Sequence, residues 1–399
     1  VFENILGQPQ VVEALKRDIQ QGTLPWSLLF HGNEYSGKLS CALELARGLT
    51  CQVEGALWNC SCPSCRQQRL LIHPYTLMVG DRYFRDEIEA CAAAYQRSGQ
   101  VSTRFLFVRS VRKLLRRFDP VLVDEKDAPL KRVKSALGEL EERILPFHPD
   151  AVAPEGAALE KEIGKITELA GKIQASGGVD RIGIDQVRRI AAWSHETSES
   201  HKVVIFENAD KMNDSARNAL LKTLEEPPPQ TTFLLLTSRK GGIMPTILSR
   251  VRPYAFAPRT EEVSREILSR IFKEESREYP TLRDYFLAWN VNLEGIRRGA
   301  HRFLEGLKNG DSLDRENLEA LFPAGGGEHR KTFRIFLQEV TASLEDQYPY
   351  EKMLEKPGRA ERFSQWNDLF RQALAGCESY NQSPPLLLEG LYYAMRGDR

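Results

Sequence analysis

The sequence predicts an α/β domain, a parallel sheet with flanking helices. It carries a cysteine module and a helical insertion, and all-α domains follow it. Three observations predict this. Gly32-Asn33-Glu34-Tyr35-Ser36-Gly37-Lys38-Leu39 nearly completes a phosphate-binding loop, which asks for G-x-x-x-x-G-K and then Ser or Thr. The apolar runs at 27–30, 201–206 and 232–237 read as the buried strands a parallel sheet needs. Beyond Pro258 the pattern turns helical.

The loop stands in the required setting, after a strand and before a helix in which Cys41, Ala42, Leu43, Leu45 and Ala46 are the apolar positions. In such a loop the backbone N–H groups cradle phosphates, the lysine reaches the outer ones, and the last hydroxyl holds Mg²⁺. Gly32, Gly37 and Lys38 supply the cradle, but Leu39 replaces the hydroxyl. Leucine cannot ligate a hard cation. Ser40 is no substitute, because one helical step turns a side chain by about 100°. Taken alone, the loop is equally a chance match of five fixed letters with one wrong.

The second strand ends in Glu207-Asn208, where nucleotide hydrolases of this kind place two acids. Asn208 carries no charge and cannot act as a general base. This is a second, independent loss at the same place.

After that strand come Arg217-Asn218-Ala219-Leu220-Leu221-Lys222-Thr223-Leu224-Glu225-Glu226-Pro227-Pro228, then the strand at 232–237, then Ile247-Leu248-Ser249-Arg250-Val251. These runs resemble the clamp-loader branch of the AAA+ ATPases: bacterial DNA polymerase III gamma/tau and delta-prime subunits and their replication-factor-C relatives. The opening Val1-Phe2-Glu3-Asn4-Ile5-Leu6-Gly7-Gln8 is similar to the family's adenine-side segment. The resemblance covers roughly 1–80 and 180–260, and the rest more weakly. It implies an AAA+ domain at 1–256, with a zinc module at about 51–65 and the insertion at about 82–180. It further implies a helical lid at 257–306 and a helical collar at 307–399.

Departures from the family pattern carry their own implication. Its motors have Lys-Thr in the loop, Asp-Glu on the second strand and an arginine in a lid stretch like G-x-L-R. Here stand Lys38-Leu39, Glu207-Asn208 and Val291-Asn292-Leu293-Glu294, with Arg297 and Arg298 close by. Together these losses resemble the delta-prime type, a stator that keeps the fold and drops hydrolysis. The resemblance puts Thr237 at a sensor-like position. It makes Arg250, in Ser249-Arg250-Val251, a finger reaching the ATP of a neighbouring subunit, where it would stabilise charge on the transferring phosphoryl group. The plain alternative is an ordinary surface or capping arginine.

Four of the seven cysteines, Cys51, Cys60, Cys62 and Cys65, lie in one short stretch. Clustered thiolates with Pro63 and Ser64 in a tight knuckle favour tetrahedral Zn²⁺. No secretory leader is visible, so disulfides are the weaker reading; free buried thiols are the plain alternative. The family carries zinc here with spacing x8, x2, x2, and this chain is one residue short between Cys60 and Cys62. Cys41, Cys91 and Cys377 are isolated and read as core; His73, before Pro74, reads as structural.

With 399 residues the chain exceeds one core, and two or three domains are expected. Its 55 basic and 55 acidic residues cancel, so it is not a strong nucleic-acid binder as a whole. No apolar run has the length of a membrane span, and a cytoplasmic location is expected.

In the insertion, Phe107, Val111, Leu114, Leu115 and Phe118 share one helical face. Leu130, Val133, Leu137, Leu140 and Ile144 form another, and Leu159, Ile163, Ile166, Leu169 and Ile173 a third. These predict a helical hairpin or small bundle, which Gly177-Gly178 closes. Between 97 and 117 every charged residue is basic: Arg97, Arg104, Arg109, Arg112, Lys113, Arg116 and Arg117. That run reads either as a DNA or partner contact or as a solvated helix face. Further on, Thr260-Glu261-Glu262-Val263 opens a capped helix, Gly325-Gly326-Gly327 marks a turn, and the stretch from Asn381 resembles the entrance to the family's last helix.

Two functions follow from the resemblance. One is a clamp-loader stator that helps load the sliding clamp on primer–template DNA, without ATP hydrolysis of its own, beside gamma/tau and delta subunits. The other is an active gamma/tau-type ATPase with unusual motif residues. Zinc is the expected structural cofactor, and ATP with Mg²⁺ is bound weakly or not at all.

Overall fold

The computed structural model describes residues 1–82, 84–175, 182–276, 278–313, 321–322, 326–347, 359–380 and 382–397. Gly177-Gly178, Gly325 and Asn381 lie outside these residues. The chain divides into two compact units, Val1–Trp289 and Asn290–Arg399.

In the first unit, β1 (Ser27–Gly32), β2 (Thr76–Val79), β3 (Lys202–Phe206), β4 (Thr231–Thr237) and β5 (Arg252–Phe256) form one sheet in the order β2-β3-β4-β1-β5. All four pairings are parallel. Successive side chains of a strand point to opposite faces, and the two faces here make separate cores. Leu28 and Phe30 pack with Leu15, Cys41 and Leu45, from α1 (Pro9–Gln20) and α2 (Lys38–Leu49). Leu29 packs with Ile190 and Leu220, from α8 (Ile184–His195) and α9 (Asp214–Glu225). Burial on both faces explains why the central strands read as unbroken apolar runs.

Between α2 and β2 lies α3 (Pro63–Arg69). Between β2 and α8 lie α4 (Phe84–Ser98), α5 (Val101–Leu115), α6 (Ala128–Ile144) and α7 (Gly156–Ala175). These four helices share a core in which Phe107, Val111, Leu114, Val133, Leu140, Ile166 and Ile173 are buried, as the three periodic faces predict. The same core takes Ile267 and Phe272 from α11 (Glu261–Phe272) and Tyr285 and Phe286 from α12 (Leu282–Leu287). That shared burial packs α11 and α12 against these helices within the first unit. Thr260 caps α11 by accepting from the Val263 N–H at 3.3 Å.

The basic run departs from both of its readings. Apart from Arg97, which is exposed, its side chains are buried or half-buried. Arg104 donates to the Pro149 and Ala151 carbonyls at 2.6 and 3.1 Å. Arg97 pairs with Glu274 at 2.6 Å. Arg109 and Arg112 donate to the carbonyls of Arg69 and Leu70 at 2.7 and 2.8 Å. These carbonyls end α3 and have no partner within the helix, so cations there satisfy them and complement the helix dipole. Arg116 caps the Thr76 carbonyl of edge strand β2, Lys113 pairs with Glu87, and Arg117 pairs with Glu207.

The second unit contains α13 (Leu293–Asn309) and helices at Gly326–Gln347, Arg359–Ser379 and Pro384–Gly397. Gly326 and Gly327 open a helix instead of making the expected turn. Phe303 stacks edge-on against Phe336 and Tyr392. Among the described residues no helix is long and apolar enough to cross a membrane.

Candidate functional site

Lys38 begins α2 at the end of the loop. Its ammonium donates to the Gly32 and Asn33 carbonyls at 2.6 Å each and to Ser36 Oγ at 3.3 Å. An ammonium has three donors, and all are turned onto the loop itself. Burial lowers the Lys38 pKa to about 8. Gly37 has φ 96°, and a Cβ there would lie 2.5 Å from the Arg259 guanidinium. Gly32 has φ 149°, and a Cβ there would meet the Phe256 carbonyl oxygen at 2.2 Å. Both positions therefore exclude a side chain, on steric grounds as well as by backbone conformation.

The loop is held from several sides. Arg259 donates to the Tyr35 carbonyl at 2.8 Å, and the Tyr35 ring stacks on Phe286 with centroids 5.4 Å apart. The Gln8 amide donates to the Ser36 and Ala257 carbonyls at 3.1 and 2.8 Å and accepts from the Ala257 N–H at 3.0 Å. Gln8 thus ties the N-terminal segment, the loop and the exit of β5 together.

Glu207 and Asn208 follow β3, and Thr237 ends β4, so they lie with the loop at the carboxyl ends of the strands. Glu207 is buried. Its Oε2 accepts from Arg82 Nη1 at 2.8 Å, and its Oε1 accepts from Arg117. Burial works to raise the Glu207 pKa, but the two guanidinium groups outweigh it and hold the carboxyl below its ordinary value. Asn208, in the left-handed region at φ 50°, donates its amide to the Asp81 carbonyl at 2.8 Å. Thr237 donates to Asp210 Oδ1 at 2.6 Å, and Arg239 pairs with the same carboxylate at 3.1 Å.

A magnesium ion held in the ordinary way does not fit these residues. Leu39 packs in the core with Leu28 and Cys41, Glu207 is engaged by two cations, and the Asn208 amide is committed.

Arg250 lies elsewhere. It precedes β5, whose first residue Arg252 pairs with Leu28 at the start of β1, whereas the loop follows the end of β1. About 15 Å of strand therefore separates Arg250 from the chain's own loop. Its Nε donates to Glu225 Oε1 at 2.8 Å and its Nη1 to the Thr246 carbonyl at 2.7 Å, while the side chain stays about one-third exposed.

The four cysteines come together. Cys51 follows α2, Cys60 and Cys62 approach α3, and Cys65 lies in its first turn. Their sulfurs lie within 4.8 Å of one another, with Cys51 and Cys60 3.8 Å apart. Four sulfurs about 2.3 Å from a tetrahedral zinc stand about 3.8 Å apart, so the donor set fits that ion. The short Cys60–Cys62 spacing is accommodated because Cys62 caps α3, accepting from the Cys65 N–H at 3.4 Å. Buried Arg47 donates to Cys65 Sγ at 3.2 Å and to the Leu57 and Ala56 carbonyls at 3.0 and 2.9 Å. Burial raises the Cys62 pKa, yet the Cys65 and Gln52 backbone N–H groups bring it down to about 6. His73 is buried against Ser64 Oγ at 3.1 Å and braces the module.

Local patterns do not identify Arg82, Arg117, Asp210 or Arg259 as site residues. The continuous basic run was the one available signal for Arg117, and its partner lies 90 residues away.

The sequence model of the family described as "DNA polymerase III, delta subunit" matches residues 7–116 and 148–260. It covers 82–116 and 148–180 and leaves out 117–147, so most of the stretch read from the sequence as an insertion belongs to the family pattern. A DNA polymerase III subunit delta' of Haemophilus influenzae is 36% identical over 135 residues, which is 32% of this chain and 39% of that protein. One of Escherichia coli is 39% identical over 95 residues, 23% of this chain and 28% of that protein. A DNA polymerase III subunit gamma/tau of Mycobacterium bovis is 32% identical over 95 residues, 23% of this chain and 16% of that protein. The aligned stretches thus span two fifths or less of each relative's length. The family model covers more than half of the residues, and the chain belongs to the DNA polymerase III delta-subunit family, of delta-prime type.

Proposed function

We propose that this chain is the stator of a bacterial clamp loader. It holds its fold without hydrolysing ATP and works within a ring of gamma/tau and delta subunits that loads the sliding clamp on primer–template DNA. The observation that carries this reading is the contrast between two arginine- or lysine-bearing places. At the loop, Lys38 and Glu207 are both satisfied from within the chain. At the far end of the sheet, Arg250 is also engaged, by Glu225, the Thr246 carbonyl and Ser249, but these contacts lie at the surface and its side chain stays about one-third exposed. A finger that acts on the neighbour's nucleotide needs an exposed guanidinium away from its own loop, and Arg250 meets that need. In the same reading the four cysteines hold a structural zinc, residues 257–306 act as the lid, and 307–399 form the collar that packs the ring.

Cys51, Cys60, Cys62 and Cys65 would hold the zinc as thiolates. The ion would supply folding free energy to a module with few buried apolar residues. Arg47, buried and paired with Glu44, donates to the Cys65 sulfur and so orients that ligand.

The test is assembly and turnover. Mixed with gamma/tau and delta subunits, the chain should co-elute in one complex. By itself it should not turn over ATP. Turnover near ordinary enzyme rates, roughly 1 s⁻¹ or more, would replace the stator with the active gamma/tau-type ATPase.

A further inference from the structure

Glu207 stands at the head of β3, where nucleotide hydrolases of this kind place an acid that serves a hydrated metal. Such an acid must keep lone pairs open. Here Arg82 Nη1 donates to Oε2 at 2.8 Å and Arg117 donates to Oε1. Arg82 also pairs with Glu87 at 2.7 Å, and Glu87 with Lys113. Three cations therefore surround two carboxylates, leaving one positive charge in excess. Arg117 and Glu207 are both buried, and the Arg117 guanidinium lies 5.4 Å from the centre of the Phe84 ring. A divalent ion brought to Glu207 would meet two guanidinium groups at contact distance, and like-charge repulsion is strong where water is excluded.

We propose that Arg82 and Arg117 replace the divalent ion at the head of β3, and that the helices after β2, α4 and α5, serve to bring this counter-charge. Arg82 leads into α4, and Arg117 lies in the turn Arg116–Phe118 that follows α5. The nucleotide end of the sheet is thereby fixed by groups covalently part of the chain. The inference rests on the stator reading and deepens it, since it gives a cause for nucleotide independence separate from Leu39 and Asn208.

The experiment uses the full chain. The thermal midpoint is measured with magnesium chloride and with potassium chloride at matched ionic strength. The unmodified chain should melt alike in both. Arg82→Gln should melt lower in potassium, and magnesium should restore roughly half of the loss or more by binding the freed carboxylate. Arg82→Gln with Glu207→Gln should show no such recovery. An Arg82→Gln variant that melts alike in both salts would overturn the proposal and leave the stator reading standing on Leu39 and Asn208.

A second arm restores the motif with Leu39→Thr and Asn208→Glu and titrates magnesium–ADP by calorimetry. Adding Arg82→Gln and Arg117→Gln should tighten binding about tenfold or more. If Arg117→Gln does not fold, Arg82→Gln alone is added. Equal binding with and without the arginines would overturn the counter-charge. ATP turnover by the unmodified chain would overturn both readings together.

Discussion

Arg250 Nε donates to Glu225 Oε1 at 2.8 Å, so the arginine before β5 is held by the last residue of α9. The pair is partly exposed, and pairs of that kind contribute only about 0–1 kcal/mol. Arg250→Ala should therefore leave the chain folded and able to assemble. In complexes rebuilt with gamma/tau and delta subunits it should lower clamp- and DNA-stimulated ATPase by about 10³-fold at the adjoining site. Lysine should rescue poorly, since a point charge lacks the planar fork that suits phosphate oxygens. Equal steady-state rates for Arg250→Ala and wild-type complexes would return Arg250 to a surface role.

Glu225 is expected to hold the finger in its starting position. Glu225→Gln keeps a hydrogen-bond acceptor and removes the charge. It should change the complex's ATPase far less than Arg250→Ala does, with a shift in KM for ATP and little in kcat. A loss in kcat as large as that of Arg250→Ala would give Glu225 a part in the chemical step.

The zinc module offers a direct measurement. Protein purified without added metal should carry about one equivalent of zinc. Cys62→Ser removes a ligand and the cap of α3 together, and it should lose the metal and loosen residues 51–69. Cys91 is buried in the insertion core, 3% exposed, and Cys91→Ser should keep the zinc. Four freely titrating thiols with no metal would remove zinc from the picture.

Arg117→Ala should be among the more damaging single changes. It strips one of two guanidinium partners from buried Glu207, but Arg82 remains, so the cost should fall below the roughly 3–5 kcal/mol of a fully broken buried pair while exceeding that of a surface arginine. Chemical denaturation of the variant against wild type measures it. A loss as small as that of an exposed arginine such as Arg371 would mean that the pair is solvated in solution.

The central strands β1, β3 and β4 were legible because burial on both faces leaves unbroken apolar runs. The edge strands β2 and β5 were not. β2 has four residues, and β5 alternates exposed Arg252 and Pro253 with buried Tyr254 and Phe256. Helix α4 buries Ala90, Ala92 and Ala94, small residues that leave only a weak periodic trace. The loop and the cysteine cluster were legible because their ligands are close in sequence. The basic run was misread because its acceptors are not. The carbonyls ending α3 and the Glu207 carboxylate lie 40 to 90 residues from the side chains they hold. Local periodicity says which face a residue occupies, not what charge the fold brings against it.

Buried His73 and half-buried His201 set the first step of acid sensitivity. Burial, helped by the Arg116 guanidinium, lowers His73 from 6.5 to about 4. Burial lowers His201 to about 4 as well, where it shares a hydrogen bond of 2.8 Å with Thr232 and stacks on Trp26. The folded chain therefore resists protonating groups that the unfolded chain protonates near pH 6.5. Unfolding takes up protons in that window, so stability is full above about pH 6.5 and falls as pH drops towards about 4. Each histidine should account for on the order of 2 kcal/mol across it. Glu87, raised by burial but brought down to about 2 by Arg82 and Lys113, acts later: its contribution is present above about pH 4.5 and is lost towards pH 2. Urea unfolding of wild type and of His73→Gln/His201→Gln at about pH 7, 4.5 and 3 separates the two steps. The double variant should start less stable and lose little between the first two conditions. A slope equal to the wild type's would show that the acid sensitivity comes from other groups.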